Sequence, residues 1–384
     1  MAVSPAQAGQ AVVRGTTKVA ARHLTPEPDA RPGGGATTYD DVASPHERAA
    51  MDRAIELAAR GPVHGPNPRV GCVLVTPDGA VLAEGWHRGA GAPHAEVAAL
   101  ADATARGVSV RGATAVVTLE PCNHTGRTGP CAPALLGAGI ARVVYSVADP
   151  NPVAAGGASY LRSHGVEVVG GVLRTTGEEL LRTWLHAVRN ARPFVTLKLA
   201  TSLDGRIAAA DGSSRWITSA ESRAHAHRVR ADVDAIAVGT GTVLADDPSL
   251  TARTADGDLA AHQPLRVVVG LRDVPEDAKL RGSGGELVDV RTHSVTAVLA
   301  ALNVLEVRHL LVEGGPTLAS AFLRAGVVDE VHAYVAPVLL GSGGSAVLDL
   351  GISTIGDALR LVTREVRTFG PDVLLVATPL QKEH

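Results

Sequence analysis

The chain has 384 residues, with 36 Lys or Arg against 39 Asp or Glu and a formal net charge of −3. No basic block breaks that balance, which excludes an electrostatic footprint for nucleic acid. No apolar run reaches the roughly 20 residues that a membrane helix requires. Hydrophobic residues make up 45% and aromatic ones only 3%. Cores of Val, Leu, Ala and Ile are therefore expected, in α/β layers, over a length that accommodates two domains.

Residues 1–42 are rich in Ala, Gly, Pro and Thr, with Arg14, Lys18 and Arg22 and no acid before Glu27. They carry no secretory core and read as a disordered leader. From residue 43 a regular grammar begins. Ser44-Pro45 opens a helix over 46–60, and Gly61-Pro62 stops it. Strands over 70–76 and 80–86 flank the turn Pro77-Asp78-Gly79. Helix 94–106, strand 114–120, helix 132–139, strand 142–147, helix 157–164, strand 166–171 and helix 177–189 follow. Arg192-Pro193 restarts the pattern, so the boundary is placed near 190, giving domains over 43–190 and 191–384. In the second, strands are expected at 194–200, 234–239, 265–270, 308–314, 330–336 and 372–378, and helices at 219–231, 295–302 and 317–325. Stretches 252–264 and 271–285 read as loops.

Chemistry concentrates at 94-HAEVAAL-100 and 121-PCNHTGRTGPC-131. His94, Cys122 and Cys131 offer one imidazole and two thiolates, a donor set suited to Zn²⁺ with a fourth position left open for catalysis. Glu96 is surplus to ligation and is free to shuttle protons, the arrangement of zinc-dependent base deaminases. Taken singly, a histidine at a helix start and two buried cysteines are ordinary cap and core residues. The spaced set is not. Three cysteines in all make no disulfide framework and suit a reducing cytoplasm.

The eight residues between the two cysteines, together with 67-NPRVG-71 and 85-GWHRGAGAPHAE-96, resemble the deaminase domain of the bifunctional riboflavin-biosynthesis (RibD) family. That family deaminates a phosphoribosylaminopyrimidine. The resemblance implies a substrate pocket lined by Asn67, His87, His124 and Arg127, with Asp149 and Asn151 near the ribose. Gly129 stands where the family usually has proline. In the second half, 198-KLATSLDGRIAAADGSSRWIT-218, 239-GTGTVLADDPSLTAR-253 and 312-VEGGPTLASAF-322 resemble the family's reductase domain. Neither 239-GTGTVL-244 nor the glycine-rich loop at 341–346 makes a Rossmann fingerprint.

The fold so implied is α/β throughout: a cytidine-deaminase-like mixed sheet with helices, then a dihydrofolate-reductase-like domain. NADPH would be held by Ala200, Trp216, Thr242, Asp246 and the run Gly315, Pro316, Thr317, Leu318, Ala319, Ser320 and Ala321. Lys198, Ser214, Arg230, Leu250, Arg253 and Glu313 would hold the reductase substrate. Leu271 stands where the family can place a serine. The expected whole is a cytoplasmic, homo-oligomeric enzyme (dimer or tetramer) using Zn²⁺ and NADPH on a small molecule, with no nucleic-acid or membrane partner. The competing readings are another base or nucleoside deaminase fused to an unrelated α/β domain, and a non-catalytic zinc-stabilised interaction protein.

Overall fold

The computed structural model describes residues 43–124 and 129–380, so the expected leader lies outside it. Two sheets carry the fold. The first contains β1 (Gly71–Val75), β2 (Val81–Trp86), β3 (Thr114–Leu119), β4 (Arg142–Val147) and β5 (Glu167–Gly170), in the order β2-β1-β3-β4-β5. β1 is antiparallel to both neighbours, while β3, β4 and β5 run parallel. The sheet is mixed, as expected. Alternation along the strands divides its side chains between two cores. Val73, Val75, Val116 and Val144 meet α1 (Pro45–Ala58), through Met51, Ala54 and Leu57. Cys72, Leu74, Ala115 and Val117 meet the opposite layer, built on α2 (Ala95–Ala105), α3 (Cys131–Gly137) and α4 (Gly157–Ser163).

α1 begins where the sequence marks it. Ser44 Oγ accepts from the Glu47 backbone N–H at 3.2 Å, and the Glu47 carboxylate accepts from Ser44 N–H at 2.8 Å. Two glycines let helices press on the future site. A Cβ on Gly85 of β2 would lie 2.3 Å from the backbone nitrogen of Ala99 in α2. One on Gly157 would lie 1.7 Å from the Pro121 carbonyl oxygen, beside Cys122.

The expected helix 177–189 is instead two, α5 (Arg174–Leu180) and α6 (Arg182–Asn190), which break at the buried Leu181. α6 runs to the second sheet, of order β12-β13-β11-β6-β10-β7-β8-β9. Its strands are β6 (Phe194–Ser202), β7 (Ala235–Gly239), β8 (Leu265–Val269), β9 (Leu287–Val290), β10 (His309–Val312), β11 (Glu330–Ala336), β12 (Leu361–Phe369) and β13 (Asp372–Pro379). From β11 to β9 the ladder is parallel; β13 and β12 add antiparallel at one edge. α9 (Val295–Val304) and α10 (Pro316–Arg324) cover one face, and α7 (Ala220–Asp232) and α8 (Thr240–Asp246) the other.

Three of these elements were not expected. α8 replaces a polar loop, and β9 and β12 fall in stretches assigned no element. The stretch 271–285 is a loop apart from a short 3₁₀ turn, Lys279–Arg281. Among the described residues, no helix is long and apolar enough to cross a membrane.

Candidate active sites

His94 is the N-cap residue of α2, its carbonyl accepting from Ala98 N–H at 2.9 Å, so its ring is left free of the capping role. Cys122 follows β3, and Cys131 opens α3. The His94 Nδ1 atom lies 3.5 Å from Cys122 Sγ and 3.3 Å from Cys131 Sγ. All three donor atoms fall within 4.8 Å of one another. Zn–S and Zn–N bonds of about 2.3 and 2.0 Å at tetrahedral angles put ligands about 3.5 Å apart, so the cluster fits Zn²⁺. The backbone N–H of Cys131 donates to Cys122 Sγ at 3.4 Å. Hydrogen bonding from Cys131 and His94 draws the Cys122 thiol down to about 4, while the same contact and burial raise Cys131. One thiolate is thus ready, and a cation binding both sulfurs would release the second proton.

Glu96, in the first turn of α2, is 3% exposed, and burial pushes its carboxyl up to about 7. His87, also buried, places Nδ1 3.0 Å from the Pro93 carbonyl and Nε2 3.0 Å from Asn67 Nδ2. A carbonyl can only accept, so Nδ1 carries the proton and Nε2 accepts from the Asn67 amide. Burial lowers the His87 pKa, consistent with this neutral tautomer. Asn67 is thereby oriented, its Oδ1 left over for a ligand.

These groups line one cavity of about 320 Å³, which also takes in His124, Asp149 and Asn151. The Glu120 carboxylate shapes its floor, accepting from the backbone N–H groups of Asp149 and Ala158. Burial lifts the Asp149 carboxyl to about 6. Arg127 lies outside the described residues. Trp184, Val188, Glu306 and Arg308 also line the cavity, and sequence reasoning missed all four. Nothing local marks them, because they come from α6 and from the approach to β10.

A second cavity, of about 170 Å³, opens at the C-terminal ends of β6, β7 and β10, where parallel sheets collect ligands. Lys198, Ala200, Thr242, Asp246, Glu313, Gly315 and Pro316 line it. Ile207 and Ala346 join them, the latter from the glycine-rich loop at 341–346. Thr242 Oγ1 accepts from Gly315 N–H at 2.9 Å, which locks α8 to the start of α10.

Glu313 is gripped by Arg230 through a fork of 2.6 and 2.8 Å, with Lys198 Nζ at 3.7 Å. Burial would raise its carboxyl, but Arg230 and Lys198 hold it at about 2. The fork of Arg230 faces Glu313, and its remaining nitrogen donates to the Thr251 carbonyl at 3.1 Å.

Other predicted residues stand apart from that cavity. Arg253 donates to the carbonyl of Gly257 in its own loop. Trp216 is 69% exposed and stacks under the Arg223 guanidinium. Ser214 is half-buried, and Leu250 is buried in the core with φ 53°. Along α10, Thr317 is exposed, while Leu318, Ala319 and Ser320 turn into the core and Ala321 is half-buried. What the run presents to the cavity is Gly315 and Pro316. Leu271 is exposed, and a side chain added at Gly129 would meet open space.

The chain matches two family models: the cytidine and deoxycytidylate deaminase zinc-binding region over residues 44–147, and the RibD C-terminal domain over 193–375. It is 52% identical to the riboflavin biosynthesis protein RibD of Mycobacterium tuberculosis, across 85% of this chain and 95% of that protein. The chain belongs to the RibD family. The RibD protein of Escherichia coli is 41% identical over 85% of this chain and 97% of its own. A RibD structure from Acinetobacter baumannii superimposes with a TM-score of 0.80 at 37% identity, covering 87% of this chain and 99% of that one. As a RibD protein the chain is a bifunctional riboflavin-biosynthesis enzyme, a deaminase joined to a reductase, and its cofactors are Zn²⁺ and NADPH.

Proposed function

We propose that the chain performs the two reactions named for a structural relative from Thermotoga maritima, a diaminohydroxyphosphoribosylaminopyrimidine deaminase and 5-amino-6-(5-phosphoribosylamino)uracil reductase that is 34% identical with a TM-score of 0.78. The first is hydrolytic: the 2-amino group of the diaminopyrimidine leaves as ammonia and water supplies the carbonyl oxygen. The second reduces the ribosyl chain to ribityl. The observation that carries the reading is convergence. Every described residue proposed for deamination except Cys131 lines one cavity, and Cys131 lies against that cavity's His94 and Cys122.

His94, Cys122 and Cys131 would hold Zn²⁺, which supplies the Lewis acidity that makes water nucleophilic near neutral pH. The Glu96 carboxylate takes one proton from the attacking water and passes it to the ring nitrogen, then takes the second from the newly added hydroxyl and delivers it to the amine, whose C–N bond breaks as the carbonyl forms. Asn67 Oδ1 accepts from the pyrimidine edge, fixed in that sense by His87. His124 and Asn151 border the same space and suit the sugar. The second cavity would hold NADPH, whose nicotinamide would supply the hydride. Thr242, Asp246, Gly315 and Pro316 would take the dinucleotide, while Lys198 and Glu313 face the opened sugar.

The division into a deaminase domain over 43–190 and a reductase domain over 191–384 belongs to this reading. So does a cytoplasmic site of action, which three free cysteines suit. Homo-oligomerisation belongs to it too, supported by the edge strand β12, where Leu361, Val362 and Val366 are exposed. Mass spectrometry of the products formed from the diaminopyrimidine ribotide, with and without NADPH, tests it. The uracil is expected without NADPH and the ribityl product with it; an unchanged ribotide in both refutes the proposal.

A further inference from the structure

The first cavity is built by both halves of the chain. Glu306 and Arg308, which line it, lie in the approach to β10 of the second sheet. Of the described residues that line it, Arg308 is the only Lys or Arg, in a lining that also includes Glu96, Glu120, Asp149 and Glu306. A phosphate dianion brought among those acids requires a cation, and a guanidinium offers the fork that phosphate oxygens accept. Arg308 gives Nε to the Pro66 carbonyl at a long 3.4 Å. Its two terminal nitrogens take no partner among the described residues.

The same element is tied to the loop that presents Asn67. One oxygen of the Asp234 carboxylate, just before β7, accepts from the backbone N–H groups of Arg308 and His309, each at 2.8 Å. Its other oxygen accepts from the backbone N–H of Gly65. His64 stacks on His262 with ring centroids 3.5 Å apart. The Pro66 carbonyl takes a second donor, Trp184 Nε1, at 3.2 Å. Residues 64–66, immediately ahead of Asn67, are therefore held by the second half and by α6.

We infer that the reductase half completes the deaminase site: Arg308 receives the phosphate of the phosphoribosyl substrate, and Asp234 keeps that arginine in register with Asn67, which reads the pyrimidine. The inference rests on the deaminase reading of the cavity given above. It makes Arg308 a specificity residue for the phosphorylated substrate and makes deamination dependent on the second half of the chain. Arg308 precedes β10 whereas Glu313 follows it, so the length of that strand separates this contact from the second cavity. Reduction therefore serves as an internal control.

The test uses the full-length, zinc-loaded protein as wild type, Arg308→Met and Arg308→Lys. Deamination is measured on the diaminopyrimidine ribotide and on its dephosphorylated counterpart, and reduction on the pre-deaminated ribotide. Arg308→Met is expected to raise KM for the phosphorylated compound about 10- to 100-fold, the size of one charge-assisted contact. KM for the dephosphorylated compound and the rate of reduction should stay at wild-type values, and Arg308→Lys should recover part of the loss. Equal losses on both compounds would make Arg308 a structural pin of the Pro66 loop and overturn the inference, as would an unchanged KM. Should Arg308→Met fail to fold, Arg308→Lys decides alone, a selective rise in KM supporting the inference and a uniform or absent effect overturning it. A wild-type protein that deaminates neither compound overturns the deaminase reading itself, and that result is visible before any variant is compared.

Discussion

Glu313 is the sharpest place to test the electrostatics, because its carboxylate is buried and held by two cations. The side chain is 6% exposed, with Arg230 at 2.6 Å and Lys198 at 3.7 Å. Its carboxyl sits at about 2 against an ordinary 4.5, despite a burial that alone would raise it. At 1.36 kcal/mol per unit, that depression stabilises the fold by about 3 kcal/mol once the group is ionised in both states. A depressed carboxyl contributes above its unfolded value and loses the contribution as pH falls toward its folded one. The window is thus pH 4.5 down to 2. By pH 3 about 2 kcal/mol has gone. Glu313→Gln, which mimics the neutral acid and leaves Arg230 buried without its partner, should therefore cost about 3 kcal/mol at pH 7 and about 1 kcal/mol at pH 3. Urea unfolding followed by circular dichroism at both values measures this. The difference between variant and wild type isolates Glu313 from other acid-sensitive groups such as Glu330, which Arg182 and His332 hold at about 2. A penalty that is small at pH 7, or that does not shrink at pH 3, would show that the buried charge is not held by Arg230 and Lys198.

Glu96→Gln should keep about one zinc per chain while deamination falls by roughly 10²- to 10⁴-fold, the usual worth of general acid–base catalysis; metal analysis that shows zinc lost with activity would make Glu96 a ligand or a structural group. Cys122→Ser should abolish deamination yet leave NADPH-dependent reduction of pre-deaminated substrate intact, and a folded variant lacking both activities would defeat the two-site reading. Gly315→Val should weaken NADPH binding in a fluorescence titration, since a Cβ there comes within 3.0 Å of Thr242 Oγ1 and blocks backbone approach; unaltered affinity would move the dinucleotide elsewhere.

The chemistry of the first site was legible because its residue types, spacing and local structure coincide. His94, Glu96 and Cys131 sit where helices begin, and Cys122 sits where a strand ends, so a motif and an element boundary mark the same positions. The strands of both cores were legible for a similar reason, since 71-GCVLV-75 and 194-FVTLKLATS-202 are buried runs bounded by turn residues. Failures came where tertiary contacts outweigh local pattern. α8 is only Thr240–Asp246, with two threonines and a glycine that favour a loop, and it is held by Thr242 on Gly315 and by Val243 in the core. β12 carries Arg364, Glu365 and Arg367 on an open edge, where the backbone ladder to β13 rather than apolar alternation defines the strand. The pairing of Arg230 with Glu313 was not legible either, because nothing in the linear order brings together residues 83 positions apart.

Arg308 shows why the rest of the first site could not be read from its own segment. In a parallel sheet, chemistry gathers beyond the C-terminal ends of strands, so residues at the opposite ends are read as scaffold. Asp234 and Arg308 stand at those opposite ends, ahead of β7 and β10, while Gly239 and Gly314 mark the ends that serve the second cavity. The first half meets the second at the scaffold ends, through Gly65, Pro66 and Trp184. That contact turns the foot of one sheet into the wall of the other sheet's pocket. A positive charge on the foot of β10 has no purpose within its own domain's cavity and acquires one only when the two halves are packed together. The reductase half is in this sense part of the deaminase, although its own chemistry lies at the far end of the same strands.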